Sequence, residues 1–371
     1  MSMEPLATGE YTQDQIIAAL HMSGASREVS YRYELLDKND ALLGELNECT
    51  GSVSNNAMAE IKRTASFVVR RDIAKDIDWH SERIKPYYRL KMPGGYVEWP
   101  LGVFLADVPA KTVQNNKLIY DVTGYDKAQI LKEDCVLERY AIASGINYVT
   151  AITQVLNNAG VSKTNITPSD KTLESYLEFE PYTNKLSIIN TLLAALNYNS
   201  LEFDAMGYAI ASPYIEPQDR EIEYTYRTDS TSVIMHNTTR GINLFNIPNV
   251  FVRYVSTPSR VLVSTVTNDD VANPLSTVSR GRSIVDAQAV HDIADQATLD
   301  AYTRRQAIEA MRVFESVEWS TAAMPHHTNL NCIYLQYNDF VSEILVETEW
   351  SLTMAAGAGM KHRARKVVRF T

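Results

Sequence analysis

Glu178 and Glu180 are the pair of carboxylates in this sequence whose spacing most resembles a catalytic arrangement. They flank Phe179, so a β-strand would place both side chains on one face. A glycoside hydrolase needs two carboxylates that face each other across the scissile bond, and two neighbours on one strand seldom meet that need. Hydrolysis of cell-wall glycans by Glu178 and Glu180 is therefore the third and weakest hypothesis for function.

His326 and His327 are the candidate metal ligands. Adjacent residues on a strand point to opposite faces, and no carboxylate or third histidine lies at ligand spacing along the sequence. Because they follow Met324 and Pro325, we predict a polar turn here and no metal site. His291 and Asp292 lie at the start of a long helical pattern, where helix capping accounts for them without catalysis.

Phosphate-binding loops and reactive thiol pairs are not indicated. Gly94-Gly95 lacks the lysine and hydroxyl residue of a P-loop, and no GxGxxG or GxSxG pattern occurs. The three cysteines, Cys49, Cys135 and Cys332, are far apart and form no metal-binding or disulfide pattern. We therefore predict that the chain is not an enzyme and has no catalytic, cofactor-binding or metal-binding residues.

The basic run from Lys361 to Phe370 is the remaining candidate binding segment. It could grip phosphate or a partner's acidic patch. The pattern favours a last strand whose exposed edge is protected by charges, or a contact between subunits. The formal net charge of −10 argues against a phosphate-binding surface over the whole protein.

The length of the chain indicates how many structural units position these residues. At 371 residues it is long enough for two or three cores. We see no secretory signal and no run approaching the ~18 apolar residues of a membrane helix, so we expect synthesis and assembly in the cytoplasm and no membrane contact.

Hydrophobic periodicity divides the chain into four segments. Residues 1–27 are predicted to form an N-terminal extension with a short helix capped at Thr12. This extension either clasps a neighbouring subunit or is disordered. Period-two alternation predicts a β unit at 28–125, and helical periodicity, clearest from Leu186 to Leu196, predicts a small α/β unit at 126–216. A second β unit follows at 217–371, with an inserted helix at about 285–314. The predicted fold class is α+β, mainly antiparallel β.

The order of several short motifs resembles the tail hub proteins of bacterial viruses. The similarity extends to the central hub of contractile phages, the hub part of the type VI secretion spike and the N-terminal region of siphophage tail-associated proteins. The residues that carry it are Leu35 to Asp40 with Gly44-Glu45-Leu46, Gly51-Ser52-Val53-Ser54, Ile61 to Phe67, Pro100-Leu101-Gly102-Val103-Phe104, Val122-Thr123-Gly124-Tyr125-Asp126-Lys127, Tyr182 to Leu186 through Leu192-Leu193 to Asn197-Tyr198, and Pro213-Tyr214 with Pro217 to Arg220.

This resemblance implies a structural virion protein at the tail tip or baseplate. Its two β units would be β-barrel, tube-like domains, and three copies would form a homotrimeric ring with six-like symmetry. One side of the ring would seat the hexameric tail tube or distal tail protein, and the other a threefold spike, fibre or receptor-binding protein. The terminus of the tape-measure protein is a further expected partner, and DNA would pass through the channel in transit. The family has no catalytic signature to transfer.

Two alternatives to the hub stay open. An accessory baseplate protein or a receptor- or carbohydrate-binding tail protein would suit the 21 tyrosines, although such proteins usually lack a central α/β unit. The glycan hydrolase that uses Glu178 and Glu180 is the other. For the hub, the acidic balance suggests a channel wall that repels DNA phosphates.

Overall fold

A computed structural model describes residues 2–22, 27–72, 77–107, 110–235, 237–242, 247–257, 260–290, 293–312 and 315–367. Within these residues the chain is mainly antiparallel β-sheet with short helices, which confirms the predicted fold class. No helix in the described part of the chain is both long enough and apolar enough to span a membrane.

The elements follow one another in two β-rich blocks separated by helices. The strands are β1 (Val29–Leu36), β2 (Leu42–Glu45), β3 (Glu48–Asn56), β4 (Arg63–Asp72), β5 (Arg83–Met92), β6 (Gly95–Pro100), β7 (Phe104–Ala106), β8 (Ala110–Gln114), β9 (Lys117–Tyr125), β10 (Tyr140–Ile142), β11 (Thr164–Ile166), β12 (Leu177–Phe179), β13 (Glu202–Phe203), β14 (Ala209–Ala211), β15 (Tyr224–Arg227), β16 (Thr239–Ile242), β17 (Val250–Thr257), β18 (Arg260–Thr267), β19 (Val285–Ala289), β20 (Glu315–Ala322), β21 (Cys332–Tyr337), β22 (Val341–Met354) and β23 (Gly359–Lys366). The helices are α1 (Gln13–Leu20), α2 (Ala128–Glu133), α3 (Tyr148–Asn158), α4 (Lys185–Ala195), α5 (Thr277–Arg280) and α6 (Gln296–Met311), with a 3-10 turn at Pro217–Asp219.

One continuous sheet joins the two β-rich parts of the chain. Its strand order is β16-β20-β23-β22-β3-β4-β9-β7-β5-β1-β2. The joint is the antiparallel pair β3–β22, in which Ser54 lies opposite Ser351 and Val53 opposite Leu352. The two predicted β units are therefore hydrogen-bonded to each other through residues about 300 positions apart in sequence.

The main hydrophobic core crosses this joint. Val53 and Phe67 from the first β unit belong to the same buried cluster as Trp319, Trp350 and Leu352 from the second. Burial alternates along β4, as expected for a strand with one face on a core. The β-rich parts thus share their apolar interior as well as their hydrogen bonds.

The segment between them is a helical unit with small sheets, as its periodicity predicts. Asn147 caps α3 and Asn184 caps α4, each accepting a hydrogen bond from a backbone N–H three residues later. Ile152 and Leu193 are fully buried between the helices. The predicted helix from Leu186 to Leu196 is confirmed as α4.

The inserted segment of the second β unit differs from its prediction. The helix expected at about 285–314 is α6, at Gln296–Met311, and the segment before it contains the strand β19. The alternation from Val285 to Ala289 lets this strand pair in parallel with β17, and α6 begins only after Asp295, whose side chain accepts from the Thr298 N–H. A small sheet, in the order β18-β17-β19, packs one face on α6.

The N-terminal extension packs on its own chain. The predicted capped helix is confirmed as α1, with a complete capping box between Thr12 and Gln15. Ile16 and Leu20 are buried in the main core, and the Trp99 indole donates a 3.1 Å hydrogen bond to the Pro5 carbonyl. Residues 2–22 are therefore part of the fold.

Candidate functional site

Glu178 and Glu180 lie at the surface and share one partner. Arg139 bonds Glu178 at 2.5 Å and Glu180 at 3.3 Å. The side chains of Glu180 and Arg139 are 73% and 64% exposed. The two carboxylates therefore form a solvent-facing ion-pair cluster beside β12, as the one-face alternation predicts.

His326 and His327 lie in a turn, but the turn is buried. The exposed fraction is 1% for His326 and 3% for His327, so the expectation of an ordinary polar turn is wrong. The sequence also predicts that no carboxylate or third histidine lies at ligand spacing, and this is wrong for the folded chain, where Glu347 and His362 lie close to these histidines. The pairing of β22 with β23 brings Glu347 and His362 to them from 20 to 36 residues further along the chain.

A hydrogen-bonded chain links these groups. Glu347 accepts from Nδ1 of His327 and Nδ1 of His362, both at 2.6 Å, one on each carboxylate oxygen. The Tyr226 hydroxyl lies 2.6 Å from Nε2 of His327, and the Thr321 hydroxyl 2.8 Å from Nε2 of His362. All four ring nitrogens therefore have partners inside the core.

Burial determines the protonation states of the two histidines and the glutamate in this hydrogen-bonded network. It lowers the pKa of His327 to about 3 and lowers that of His362, even though the bond to Glu347 opposes the change. Burial also raises the pKa of Glu347. Neutral histidines that donate from Nδ1 suit a carboxylate that cannot be solvated.

His327, Glu347 and His362 could also hold a metal ion, because one ligand atom from each lies within 4.8 Å of the others. A metal would displace the two Nδ1 protons that Glu347 now accepts. The arrangement as it stands ties β22 and β23 to the turn after β20 by hydrogen bonds. The absence of a metal site here stays a prediction from the sequence.

The basic C-terminal strand is not a sheet edge. Within the described residues, β23 pairs with β20 on one side and β22 on the other, so the prediction of a charge-protected edge is wrong. Two of its charges form cross-strand pairs: Lys366 bonds Glu343 at 2.6 Å and Arg363 bonds Glu318 at 3.3 Å. Residues 368–371 lie outside the described part.

The remaining predicted positions have structural explanations or lie outside the described residues. Gly94 lies in the β5–β6 turn and Gly95 begins β6, and the Gly94 N–H donates to the Tyr11 hydroxyl. His291 and Asp292 lie outside the described residues. The three cysteines are free: Cys49 and Cys332 are buried and Cys135 is half-buried.

One surface of the small β18-β17-β19 sheet is apolar and uncharged. α6 covers the opposite side, where Phe251 and Val255 are buried, while Val261 and Val263 are 69% and 54% exposed. Cross-strand register places the following residues on the open side, named here the β17–β19 face: Val250, Val252, Tyr254, Ser256, Val261, Val263, Thr265, Thr267, Val285, Ala287 and Ala289. A β-branched surface without charges is typical of a protein contact.

Solved structures with the same architecture are phage and secretion-system proteins. The tail protein of Neisseria meningitidis MC58 superposes with a TM-score of 0.65 at 10% identity, over 91% of this chain and 97% of that one. The 43 kDa tail protein of prophage MuSo2 from Shewanella oneidensis gives 0.61 at 9% identity, over 90% and 98%. This chain has the fold of phage tail proteins.

The resemblance inferred from the sequence motifs is therefore confirmed at the level of fold. A chain in the half-lidded Francisella PdpA–VgrG complex also matches, with a TM-score of 0.55 at 8% identity, over 96% of this chain and 62% of that one. No protein-family model and no curated protein matches the sequence.

Proposed function

We propose that this chain is a structural virion protein, the tail hub at the distal end of a phage tail. As a homotrimer it joins the hexameric tail tube or distal tail protein to a threefold spike, fibre or receptor-binding protein. The tape-measure terminus contacts the same ring, and DNA passes through its channel. The role is non-enzymatic.

The observation that carries the proposal is the full-length match to tail proteins. The match at a TM-score of 0.65 includes 91% of this chain and 97% of the Neisseria tail protein, so it includes both β-rich parts and the helical unit. An isolated receptor-binding module would be expected to match over one part alone. The continuous sheet through β3 and β22 supports a rigid wall built from both parts.

The β17–β19 face is the proposed contact between copies. Each chain carries a formal net charge of −10, so a contact between identical chains must avoid bringing carboxylates together. This face offers valines, threonines and alanines and no charged side chain. Its removal from water favours association without electrostatic repulsion.

Light scattering coupled to size-exclusion chromatography tests both the trimer and the β17–β19 face as its contact. The wild-type chain should elute as a trimer of 41.7 kDa subunits. Val263→Lys should give a folded monomer, because it places a charge in the contact. Leu137→Lys, at a site 78% exposed in the helical unit, is the matched control and should stay trimeric.

The outcomes are distinguishable. A wild-type monomer at high concentration that binds sugars would overturn the hub and favour a receptor-binding protein. A trimer that persists in Val263→Lys would overturn this face as the contact while leaving the trimer intact. If Val263→Lys does not fold, Val261→Lys on the same face decides the same question.

A further inference from the structure

A cavity of about 250 Å³ lies where the first β-rich part, the helical unit, α6 and the second β-rich part meet. We name it the junction cavity. Four arginines line it, Arg220, Arg305, Arg312 and Arg365, together with one carboxylate, Glu309. Such an excess of positive charge is unusual in a chain whose overall charge is negative.

Some of the cations in the wall already have partners. Arg305 pairs with Glu309 at 2.9 Å, and Arg220 pairs with Glu223 at 2.9 Å. Lys62, which also lines the cavity, donates from Nζ to three oxygen acceptors at 2.6 to 2.9 Å. The lining carboxylate is therefore already engaged by one of these cations.

Arg312 and Arg365 have no ion-pair partner among the residues that the structure describes. Arg312 is only 5% exposed, and its Nε and Nη2 have no hydrogen-bond partner within that part of the chain. Burial lowers the pKa of Arg312 even though Tyr214 and Glu309 oppose the change, and nearby Arg365 lowers it further. A guanidinium nevertheless keeps its charge, so this site holds a buried cation that needs a counter-charge.

Neutral polar atoms in the same wall are also unsatisfied. The Tyr214 hydroxyl and the side-chain oxygens of Asn199 and Asn329 are buried without a hydrogen-bond partner among the described residues, and all three residues line the cavity. Buried polar groups are almost always paired, so a concentration of unpaired ones at one cavity indicates a missing occupant. The two amide oxygens accept only, so they need a water or a protonated oxygen of the occupant, while the Tyr214 hydroxyl and the Nε and Nη2 of Arg312 supply donors.

We propose that the junction cavity binds an oxyanion, a phosphate or a carboxylate group, with Arg312 and Arg365 as its counter-charges and the Tyr214 hydroxyl as a neutral donor. Planar guanidinium donors match the oxygens of both groups, and the cavity volume suits an ion of that size. Because residues from both β-rich parts, the helical unit and α6 line the site, a bound oxyanion would brace those parts against one another. The proposal is independent of the hub function.

Isothermal titration calorimetry on the full chain tests the site. Inorganic phosphate and succinate are titrated separately at fixed ionic strength, with sodium chloride as the blank. The wild-type chain should bind one of the two anions saturably, one ion per chain, and that anion should raise the thermal unfolding midpoint. A response to phosphate alone or to succinate alone identifies the source of the oxyanion.

Three variants locate the binding. Arg312→Gln and Arg365→Gln should each weaken the affinity at least tenfold. Arg363→Gln is the matched control, because Arg363 lies two positions from Arg365 on the same strand with a side chain that is 53% exposed, and it should bind like the wild type. If Arg312→Gln does not fold, Arg365→Gln carries the test.

Two results would overturn the proposal. One is the absence of saturable binding of either anion to the wild-type chain. The other is equal affinity in Arg365→Gln and Arg363→Gln, which would place the anion elsewhere. A rise in the unfolding midpoint that is equal in every variant reflects general stabilisation by a kosmotropic salt and also counts against the site.

Discussion

Replacing His326 by phenylalanine should make the stability of the protein less dependent on pH. His326 is 1% exposed, and neither ring nitrogen has a hydrogen-bond partner among the described residues. Burial lowers the pKa of His326 well below its usual value of 6.5, and the nearby rings of His327 and His362 lower it further. The folded chain therefore keeps His326 neutral in mild acid, whereas the unfolded chain protonates it.

The sign and size of the effect follow from proton linkage. Because the folded pKa is lowered, the contribution of His326 to stability is present above about pH 6.5 and is lost as the pH falls below that value. Between pH 6 and pH 5 each such histidine costs about 1.4 kcal/mol of unfolding free energy per pH unit. From pH 7 to pH 5 the loss integrates to about 2 kcal/mol. His327, with a folded pKa of about 3, adds a similar loss, and Glu347, whose pKa is raised, opposes it.

Urea unfolding followed by tryptophan fluorescence at pH 7 and pH 5 measures the difference. The wild-type chain should lose about 2 kcal/mol more than His326→Phe over this interval. At pH 7 the variant should be as stable as the wild type or more so, since it removes unpaired buried nitrogens and keeps a planar ring. His80→Phe, at an exposed turn, is the control and should follow the wild type. Equal losses in His326→Phe and the wild type would show that the folded state does not exclude this proton, and would refute the reasoning.

Two further substitutions test the sheet and the carboxylate pair. Gly51→Ala should destabilise the chain by about 3 kcal/mol, because a Cβ there collides with the Ser66 carbonyl oxygen across the β3–β4 pair. Gly44→Ala is the control: a Cβ at Gly44 meets open space, so stability should change by less than about 0.5 kcal/mol. Equal urea midpoints for the two alanine variants would contradict this packing. Glu178→Gln should change stability by less than about 0.5 kcal/mol, because the ion pair between Glu178 and Arg139 is solvent-exposed. In a peptidoglycan hydrolysis assay, neither the Glu178→Gln variant nor the wild-type chain should release sugars above background. Turnover by the wild type that Glu178→Gln abolishes would revive the hydrolase hypothesis.

Local sequence chemistry predicts much of the secondary structure. The capping box at Thr12 and the apolar spacing from Leu186 specify α1 and α4. Asn115 and Asn116 turn the β8–β9 hairpin with φ of 51° and 59°, as the tolerance of asparagine for that region predicts. These features depend on residues that are close together in the chain, so a sequence reading can find them.

The structural features that the sequence does not predict depend on pairing between residues that are distant in the chain. The β3–β22 joint, the interior position of β23 and the approach of Glu347 and His362 to His327 all depend on which strands become neighbours. No local pattern encodes that choice. One signal was present: Glu347 follows Ile344-Leu345-Val346 directly, and a carboxylate beside such an apolar run indicates a buried polar partner.

The junction cavity could not be predicted for the same reason. Arg220, Arg312 and Arg365 are each ordinary surface-type residues in sequence, and they converge only when the parts of the chain meet. The lack of an ion-pair partner for Arg312 and Arg365 among the described residues is a property of the packed structure.

Cryo-electron microscopy of the purified full-length chain tests the central claim most directly. The hub proposal predicts a ring of three copies around an open channel, with the β-rich parts of each copy forming a six-like layer and the β17–β19 face buried between neighbours. Particles that resolve as single copies, or as an assembly without threefold symmetry or without a channel, would contradict it.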